Sequence, residues 1–193
     1  MRPVRYFAFI LLLVGCASRK VFTSPAPQNP TSYLFNVKAD SARFLFANNY
    51  WKYHGSLKFD LREMDYHGDN NHGLWQEDAQ KALRGKENKN DIWMWLYTDS
   101  SSVYSNKEGK PLPYWMKCKA HLEQVGDQQT RMEIVVYSAS VMVGESLLPG
   151  PPHFVNNPIF KDVKSTTVEE YKILLCFGKS LGVTEQMPPL KLR

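Results

Sequence analysis

KCKAHLEQVGDQQTRMEIVV, residues 117–136, is the stretch that decides the fold of this chain. Apolar and polar side chains alternate on both arms of the stretch, the apolar ones being Cys118, Ala120 and Leu122, then Met132, Ile134 and Val136. A period of two is typical of a strand with one buried face. The polar residues from Gly126 to Gln129 suit a turn between the arms. The stretch therefore predicts a long antiparallel hairpin over about residues 115–143.

A helix is predicted next, near the C-terminal end of the chain, over about residues 167–181. Thr166 and Glu169 have the spacing of a capping box, and Gly182 suits a C-cap. Between them, apolar residues recur at helical spacing: Val168, Tyr171, Leu174, Leu175, Gly178 and Leu181. Such a helix packs its apolar face across a sheet, so Leu174 and Leu175 are expected to be buried.

The remaining elements extend the same sheet. Residues 92–97, IWMWLY, are apolar on both faces, which indicates a central strand. Further strands are predicted at 33–38 and 57–61, and further helices at 40–51 and 74–84. Residues 147–165, which contain four prolines, are predicted to be a long irregular connection. The predicted fold class is α+β, a single domain in which an antiparallel sheet with a long hairpin packs against helices.

The N-terminal residues indicate export. Arg2 and Arg5 begin a segment whose apolar run, residues 6–14, is about half of the ~20 residues that a membrane-spanning helix needs. The run ends in Leu13-Val14-Gly15-Cys16, which resembles the lipobox of bacterial lipoproteins. The resemblance covers the first twenty residues. It implies that Cys16 is acylated, that the chain is cut just before it, and that Ala17 directs the protein to the outer membrane.

This resemblance divides the chain into three parts: a lipoprotein signal peptide (1–15), the lipidated cysteine with a flexible tether (16–31), and the α+β domain (32–193). Loss of the two arginines in the signal peptide lowers the formal net charge from +5 to +3. A charge this small, scattered among acidic residues, does not favour a nucleic-acid partner. The expected partners are the membrane, through the lipid, and another protein or glycan of the cell envelope.

Aromatic residues are the first candidates for a binding site. A strand over residues 92–97 places Trp93, Trp95 and Tyr97 on one face. Aromatic rings stack on sugars and on apolar ligands, although packing in the core is the alternative for these three. Phe154 and Phe160 lie in the proline-rich connection, where they either contact the core or remain exposed for a partner.

A polar loop at residues 65–73 is the second candidate. His67, Asp69 and His72 carry side chains that bind zinc or a related ion. Their spacing matches no metal-binding motif, and the Gly, Asn and Asp residues around them also suit an ordinary turn. We therefore expect a loop without a metal, and no cofactor elsewhere.

The chain also lacks the usual sequence signs of catalysis. It contains no GxSxG, no glycine-rich phosphate loop and no dinucleotide-binding fingerprint. Cys118 and Cys176 are expected to be two separate buried thiols, although a disulfide between them is an alternative in an oxidising compartment.

Three functions remain open. The first, which the sequence favours, is a lipid-anchored module that binds another envelope component without chemistry of its own. The second is a carrier or binder of a small apolar or glycan ligand, and the third is a metal-dependent hydrolase built on His67, Asp69 and His72. A contiguous exposed apolar patch would support the first function, an enclosed cavity the second, and convergent His and Asp side chains the third.

Overall fold

Eight strands and two α-helices are found in a computed structural model of the chain, which describes residues 20–49, 60–63, 90–149 and 154–192. In chain order they are β1 (Phe22–Thr23), β2 (Ser32–Phe35), α1 (Ala39–Asn49), β3 (Asp60–Glu63), β4 (Asp91–Thr98), β5 (Tyr104–Ser105), β6 (Tyr114–Gly126), β7 (Gln129–Pro149), β8 (Phe154–Asp162) and α2 (Val168–Leu181), followed by a 3₁₀ helix (Thr184–Gln186). An antiparallel sheet packs against the two helices, so the predicted α+β class is confirmed.

The predicted hairpin is confirmed with nearly the expected bounds. Strands β6 and β7 pair from Tyr114 opposite Val141 to Gly126 opposite Gln129. The alternating apolar residues face the core, and Cys118 is fully buried there. Two irregularities interrupt the pairing. One lies near the turn, between Gln124 and Gly126; at the other, Lys117 lies opposite Ser138 whereas Cys118 lies opposite Val136. Tyr137 is therefore the extra residue of a β-bulge.

The main sheet has the order β2-β7-β6-β4-β3, with β8 also paired to β7. Strand β7 is 21 residues long, so one of its edges accommodates two strands, β2 near its beginning and β8 near its end. Strand β4 lies between β6 and β3, which confirms the central position predicted for residues 92–97.

Strand β8 corrects the prediction of an irregular connection over residues 147–165. Residues 140–149 of β7 pair with residues 154–162 of β8 in antiparallel register. Pro158, which argued against a strand, lies opposite Glu145 within this pairing. Proline is tolerated in a strand that has a neighbour on one side only, and in the described part of the chain β8 pairs with β7 alone.

The core lies between the sheet and the two helices. Phe177 of α2 connects the layers, since its ring centroid is 4.5 Å from that of Phe35 in β2 and 5.5 Å from that of Phe46 in α1. Leu174 is fully buried and Leu175 is 7% exposed. The predicted burial of both leucines is confirmed.

The C-terminal end of α2 matches the prediction, whereas its N-terminal end differs from it. Gly182 is the C-cap, as expected, with a φ of 70°. At the other end the N-cap is Thr167, with a φ of 61° and no side-chain capping bond. The hydroxyl of Thr166 instead donates to the Glu169 carboxylate and accepts the Val168 N–H at 3.2 Å. The expected partners thus meet, but not in the reciprocal backbone bonds of a capping box.

Contacts with the chain preceding β2 hold Thr167 in this left-handed conformation, which a β-branched residue rarely adopts. Its hydroxyl donates to the Pro27 carbonyl at 2.8 Å and accepts the Asn29 N–H at 3.2 Å. The Asn29 side chain in turn exchanges two hydrogen bonds with the backbone of Lys191, at 3.0 and 2.9 Å. Strand β1 pairs with β5. Residues 22–29, which the sequence assigns to a flexible tether, therefore lie against the domain.

Several sequence-based predictions fall outside the described residues: the signal peptide, Cys16, most of the strand at 57–61, the helix at 74–84, and the loop carrying His67, Asp69 and His72. Within the residues that are described, neither helix is long and apolar enough to cross a bilayer.

Candidate functional site

The face of the sheet opposite α1 and α2 carries a group of aromatic side chains. This aromatic face comprises Trp93, Trp95 and Tyr97 of β4, Trp115 of β6, Tyr137 of β7 and Phe160 of β8. Tyr137 is 48% exposed and the other five are half-buried. Both described helices lie on the other side of the sheet, where Phe35 and Met132 are buried.

The predicted placement of Trp93, Trp95 and Tyr97 on one face is confirmed. Each is half-buried, whereas the residues between them on β4, Met94 and Leu96, are at most 1% exposed. The alternation shows that Met94 and Leu96 belong to the core and that the three aromatic rings line its opposite side.

The rings form two groups, which we call the first and second platforms. In the first platform, the Trp93 and Tyr137 centroids are 4.9 Å apart. In the second, Trp115 lies 4.5 Å from Tyr97 and 4.9 Å from Phe160, measured between centroids. Trp95 lies on β4 between the two platforms. These separations are typical of favourable aromatic pairs, so the rings position one another.

A charged group borders the first platform. The Asp91 carboxylate, 5% exposed, accepts hydrogen bonds from Lys119 Nζ at 2.7 Å and contacts His121 Nδ1 at 2.6 Å. The hydrogen bond with Asp91 is the main cause that raises the pKa of Lys119, against an opposing effect of burial. The ammonium group lies 5.8 Å from the Trp93 centroid, within the range of a cation–π interaction. It is thus held, charged, beside the first platform.

Tyr97 is held in place at the second platform. Its hydroxyl donates to Asp99 Oδ1. Burial, together with this hydrogen bond and the charge of Asp99, raises the pKa of Tyr97 to about 12. The phenol therefore keeps its proton at physiological pH.

The sequence analysis identified part of this face. Phe160 was a candidate, and the structure brings it to Trp115; Phe154 begins β8 opposite Pro149, at the other end of that strand. Trp115 was missed, although the hairpin alternation that turns Lys117 and Lys119 away from the core predicts the same direction for it. Tyr137 was also missed, although the alternation of Met132, Ile134 and Val136 towards the core predicts that it faces the other way; the bulge decides which residue of β7 lies opposite Lys117.

A separate group of polar residues is buried on the helical side, at the start of α2. Glu169 and Glu170 are 0% and 1% exposed, and Lys172 Nζ lies 3.8 Å from Glu169 Oε1. Three buried oxygen atoms of this group make no hydrogen bond: Tyr114 Oη, Glu169 Oε1 and Glu170 Oε2. We call Tyr114, Glu169, Glu170 and Lys172 the buried polar cluster.

Burial governs the protonation of this cluster. It is the main cause that raises the pKa of Glu170, and the charge of Glu169 adds to the effect. Hydrogen bonds to the Ser165 side chain and to backbone groups oppose the shift only in part. Burial also raises the pKa of Tyr114 and lowers that of Lys172. Burial therefore shifts the protonation equilibrium of each of these three groups towards its neutral form, relative to the same group in water.

The cysteines and the metal hypothesis concern other parts of the molecule. Cys118 and Cys176 are both free and buried. Burial raises the pKa of Cys176 to about 12 and also raises that of Cys118, so both thiols are poor nucleophiles.

In residues 20–49, 60–63, 90–149 and 154–192, no three His, Cys, Asp or Glu side chains converge to hold a metal ion.

Comparisons of the chain with protein-family models, with curated proteins and with solved structures give no match.

Proposed function

We propose that this chain is a lipid-anchored lipoprotein of the cell envelope, located at the outer membrane. Its α+β domain is a non-catalytic module that binds another envelope component through the aromatic face. The observation that carries the proposal is the two groups of partly exposed rings on the side of the sheet away from α1 and α2.

Aromatic side chains of this kind favour binding for a physical reason. They offer a large contact area with few rotatable bonds, so little conformational entropy is lost when a ligand covers them. Clustered apolar groups at a protein surface commonly mark an interaction site. On this face Tyr137 is almost half exposed, and its ring contacts Trp93.

The polar groups on the face suit binding better than catalysis. The Asp91 carboxylate is already engaged by two basic side chains. A general base must come within hydrogen-bond reach of the substrate, and the Asp91 carboxylate is only 5% exposed. The high pKa of Tyr97 likewise keeps its phenol from acting as a base near neutral pH.

The second candidate function, a binder of a glycan ligand, is supported by the combination of rings with hydrogen-bonding groups at the first platform. A sugar presents an apolar C–H face, which the Trp93 ring can cover, and hydroxyl edges, which the neighbouring Lys119 ammonium group can bind. For a metal-dependent hydrolase, the described residues provide no supporting observation.

The proposed anchor would keep the aromatic face near the membrane. Phe22 is part of β1, which pairs with β5 of the domain. Six residue steps separate Cys16 from Phe22, and a fully extended chain of that length spans about 20 Å. The anchor would therefore hold Phe22, and with it the part of the domain at β1 and β5, within about 20 Å of the lipid headgroups.

The first prediction concerns the anchor. Mass spectrometry of the mature protein is expected to show an acylated Cys16 at the N-terminus, and the protein is expected to sediment with membranes. Cys16→Ala is expected to abolish acylation and membrane retention, because the thiol is the attachment point. Cleavage at another residue, or an unmodified cysteine at the mature N-terminus, would contradict the proposed anchor.

The second prediction concerns the aromatic face. Trp93→Ala is expected to weaken binding to isolated cell envelopes about tenfold. The reason is that a ligand stacked on the Trp93 ring and hydrogen-bonded to the neighbouring Lys119 gains about 1–2 kcal/mol from this contact. The measurement is co-sedimentation of the purified protein with envelope fragments. Phe44→Ala is the matched control, since Phe44 is 67% exposed and belongs to α1, on the other side of the sheet. Equal binding by wild type and Trp93→Ala would refute the proposed function.

A further inference from the structure

We infer that the ligand of the aromatic face is a glycan chain of at least three sugar rings, lying along β4 across both platforms. The inference rests on the proposed function and names the chemistry and minimum size of what is bound.

The size follows from the positions of the rings. Trp93, Trp95 and Tyr97 occupy alternate positions of one strand. At about 3.3 Å per residue, their Cα atoms are separated by roughly 7 Å at each step and roughly 13 Å from first to last. A single sugar ring covers one of these positions. A chain that covers all three contacts the first platform at one end and the second at the other.

Fixed ring geometry supports an elongated, rigid ligand. Trp93 is set against Tyr137, and Trp115 against both Tyr97 and Phe160, so each platform is pre-organised. Pre-organisation lowers the entropy lost on binding. The two platforms are carried by β4, β6, β7 and β8, which are hydrogen-bonded into one sheet, and the sheet fixes their separation.

The charges on the face favour a glycan over a polyanion. The positive charge of Lys119 is opposed by Asp91, and that of Arg131 by Glu123 at 3.2 Å. Nucleic acids and anionic lipid surfaces need an excess of unopposed positive charge, which these pairs do not provide.

The mixture of ring faces and hydrogen-bonding groups favours a glycan over an apolar protein partner. The ammonium group of Lys119 has three donors, and one of them bonds to Asp91. Another can donate to a sugar hydroxyl above Trp93. Ser138, which is exposed, adds a hydroxyl between the platforms, opposite Lys117. An apolar partner would leave these groups desolvated without a hydrogen bond, at a cost in affinity.

The experiment measures binding as a function of ligand length. Full-length acylated protein in detergent is titrated with β-1,4-linked oligomers of glucose and of N-acetylglucosamine, from one to six units, by calorimetry and tryptophan fluorescence. Affinity for at least one series is expected to rise about tenfold or more between one and four units, since each platform adds a stacking contact, and then to level off.

Two variants test whether both platforms are used. Trp93→Ala and Trp115→Ala each remove one platform, so each is expected to reduce the affinity for four or more units to about that for one or two. Circular dichroism and melting temperature show whether each variant is folded. Trp93→Phe, which keeps a ring, is expected to retain most of the length dependence.

The outcomes separate this inference from the proposed function. Equal affinity for one and six units would overturn the chain-length inference. A second outcome would show that the ligand is a protein and not a glycan. In that case binding to envelopes depends on Trp93, but the protein binds neither oligomer series nor purified envelope polysaccharide. In both cases the proposed function would stand; it fails only if Trp93→Ala leaves envelope binding unchanged.

Discussion

Leu174→Ala is expected to lower the free energy of unfolding by about 2–5 kcal/mol. Leu174 is fully buried in α2, which packs across β2 and β7. Truncation removes apolar contacts and leaves a cavity that the neighbouring sheet cannot fill without distortion. Chemical denaturation of residues 20–193, expressed without the lipid anchor, measures the change.

Leu34→Ala is the matched control for this substitution. Leu34 lies on β2 of the same sheet, but its side chain is 45% exposed. Its truncation is expected to change the free energy of unfolding by no more than about 0.5 kcal/mol. A loss below about 0.5 kcal/mol for Leu174→Ala itself would mean that α2 packs on the sheet through a different face.

Glu170→Gln is expected to stabilise the protein at neutral and mildly alkaline pH, because burial raises the pKa of the wild-type carboxyl and disfavours the charge that it carries there. The wild-type carboxylate is 1% exposed, and one of its oxygens makes no hydrogen bond. Glutamine has nearly the same shape and carries no charge at any pH, so the fold no longer has to bury an ionised group.

The sign of the pH dependence follows from the raised pKa of Glu170. Below its ordinary value of 4.5, the side chain is protonated in both the folded and the unfolded chain, and the full stability is present. As the pH rises from 4.5 through the higher pKa of the folded state, the unfolded chain releases its proton more readily, so stability falls. The gain from Glu170→Gln is therefore expected to be small near pH 4 and to grow as the pH rises.

Denaturation of wild type and variant at pH 4, 6 and 8 tests this expectation. Glu185→Gln is the control, because Glu185 is exposed in the 3₁₀ helix and its substitution should have little effect at any of these pH values. A Glu170→Gln protein that is less stable than wild type at pH 8 would show that the folded state is stabilised by the charge of the carboxylate.

Lys172 affects stability in a more alkaline range. Because its pKa in the fold is lowered, the free energy of unfolding is expected to rise with pH as the pH approaches the ordinary lysine value of 10.5 from below.

Part of the candidate site could be predicted because it depends on local alternation. On β4, the period of two places Trp93, Trp95 and Tyr97 on one face whatever the rest of the fold does. Their exposure was not predictable, since a sheet can be covered on either side, and only the positions of α1 and α2 show that Met94 and Leu96 face the core.

Other parts of the site depend on contacts between distant segments. Phe160 reaches Trp115 only because β8 pairs with the end of β7, and the prolines near it suggested an irregular loop. Tyr137 contacts Trp93 at a bulge whose position depends on the pairing of β6 with β7. Neither feature has a local pattern, because both arise from hydrogen bonds between residues that are far apart in the chain.

The sequence by itself determined the α+β class, the β6–β7 hairpin, the apolar side of α2 and the common face of the β4 aromatic residues. Each of these follows from a hydrophobic period that one segment carries alone. Tertiary structure alone decided that residues 22–29 lie against Thr167 and Lys191, that β8 completes the sheet, and that Glu169 and Glu170 are buried. Acidic residues in the first turn of a helix ordinarily face water, and here they are buried because α2 packs its N-terminal turn beneath the sheet, beside Tyr114.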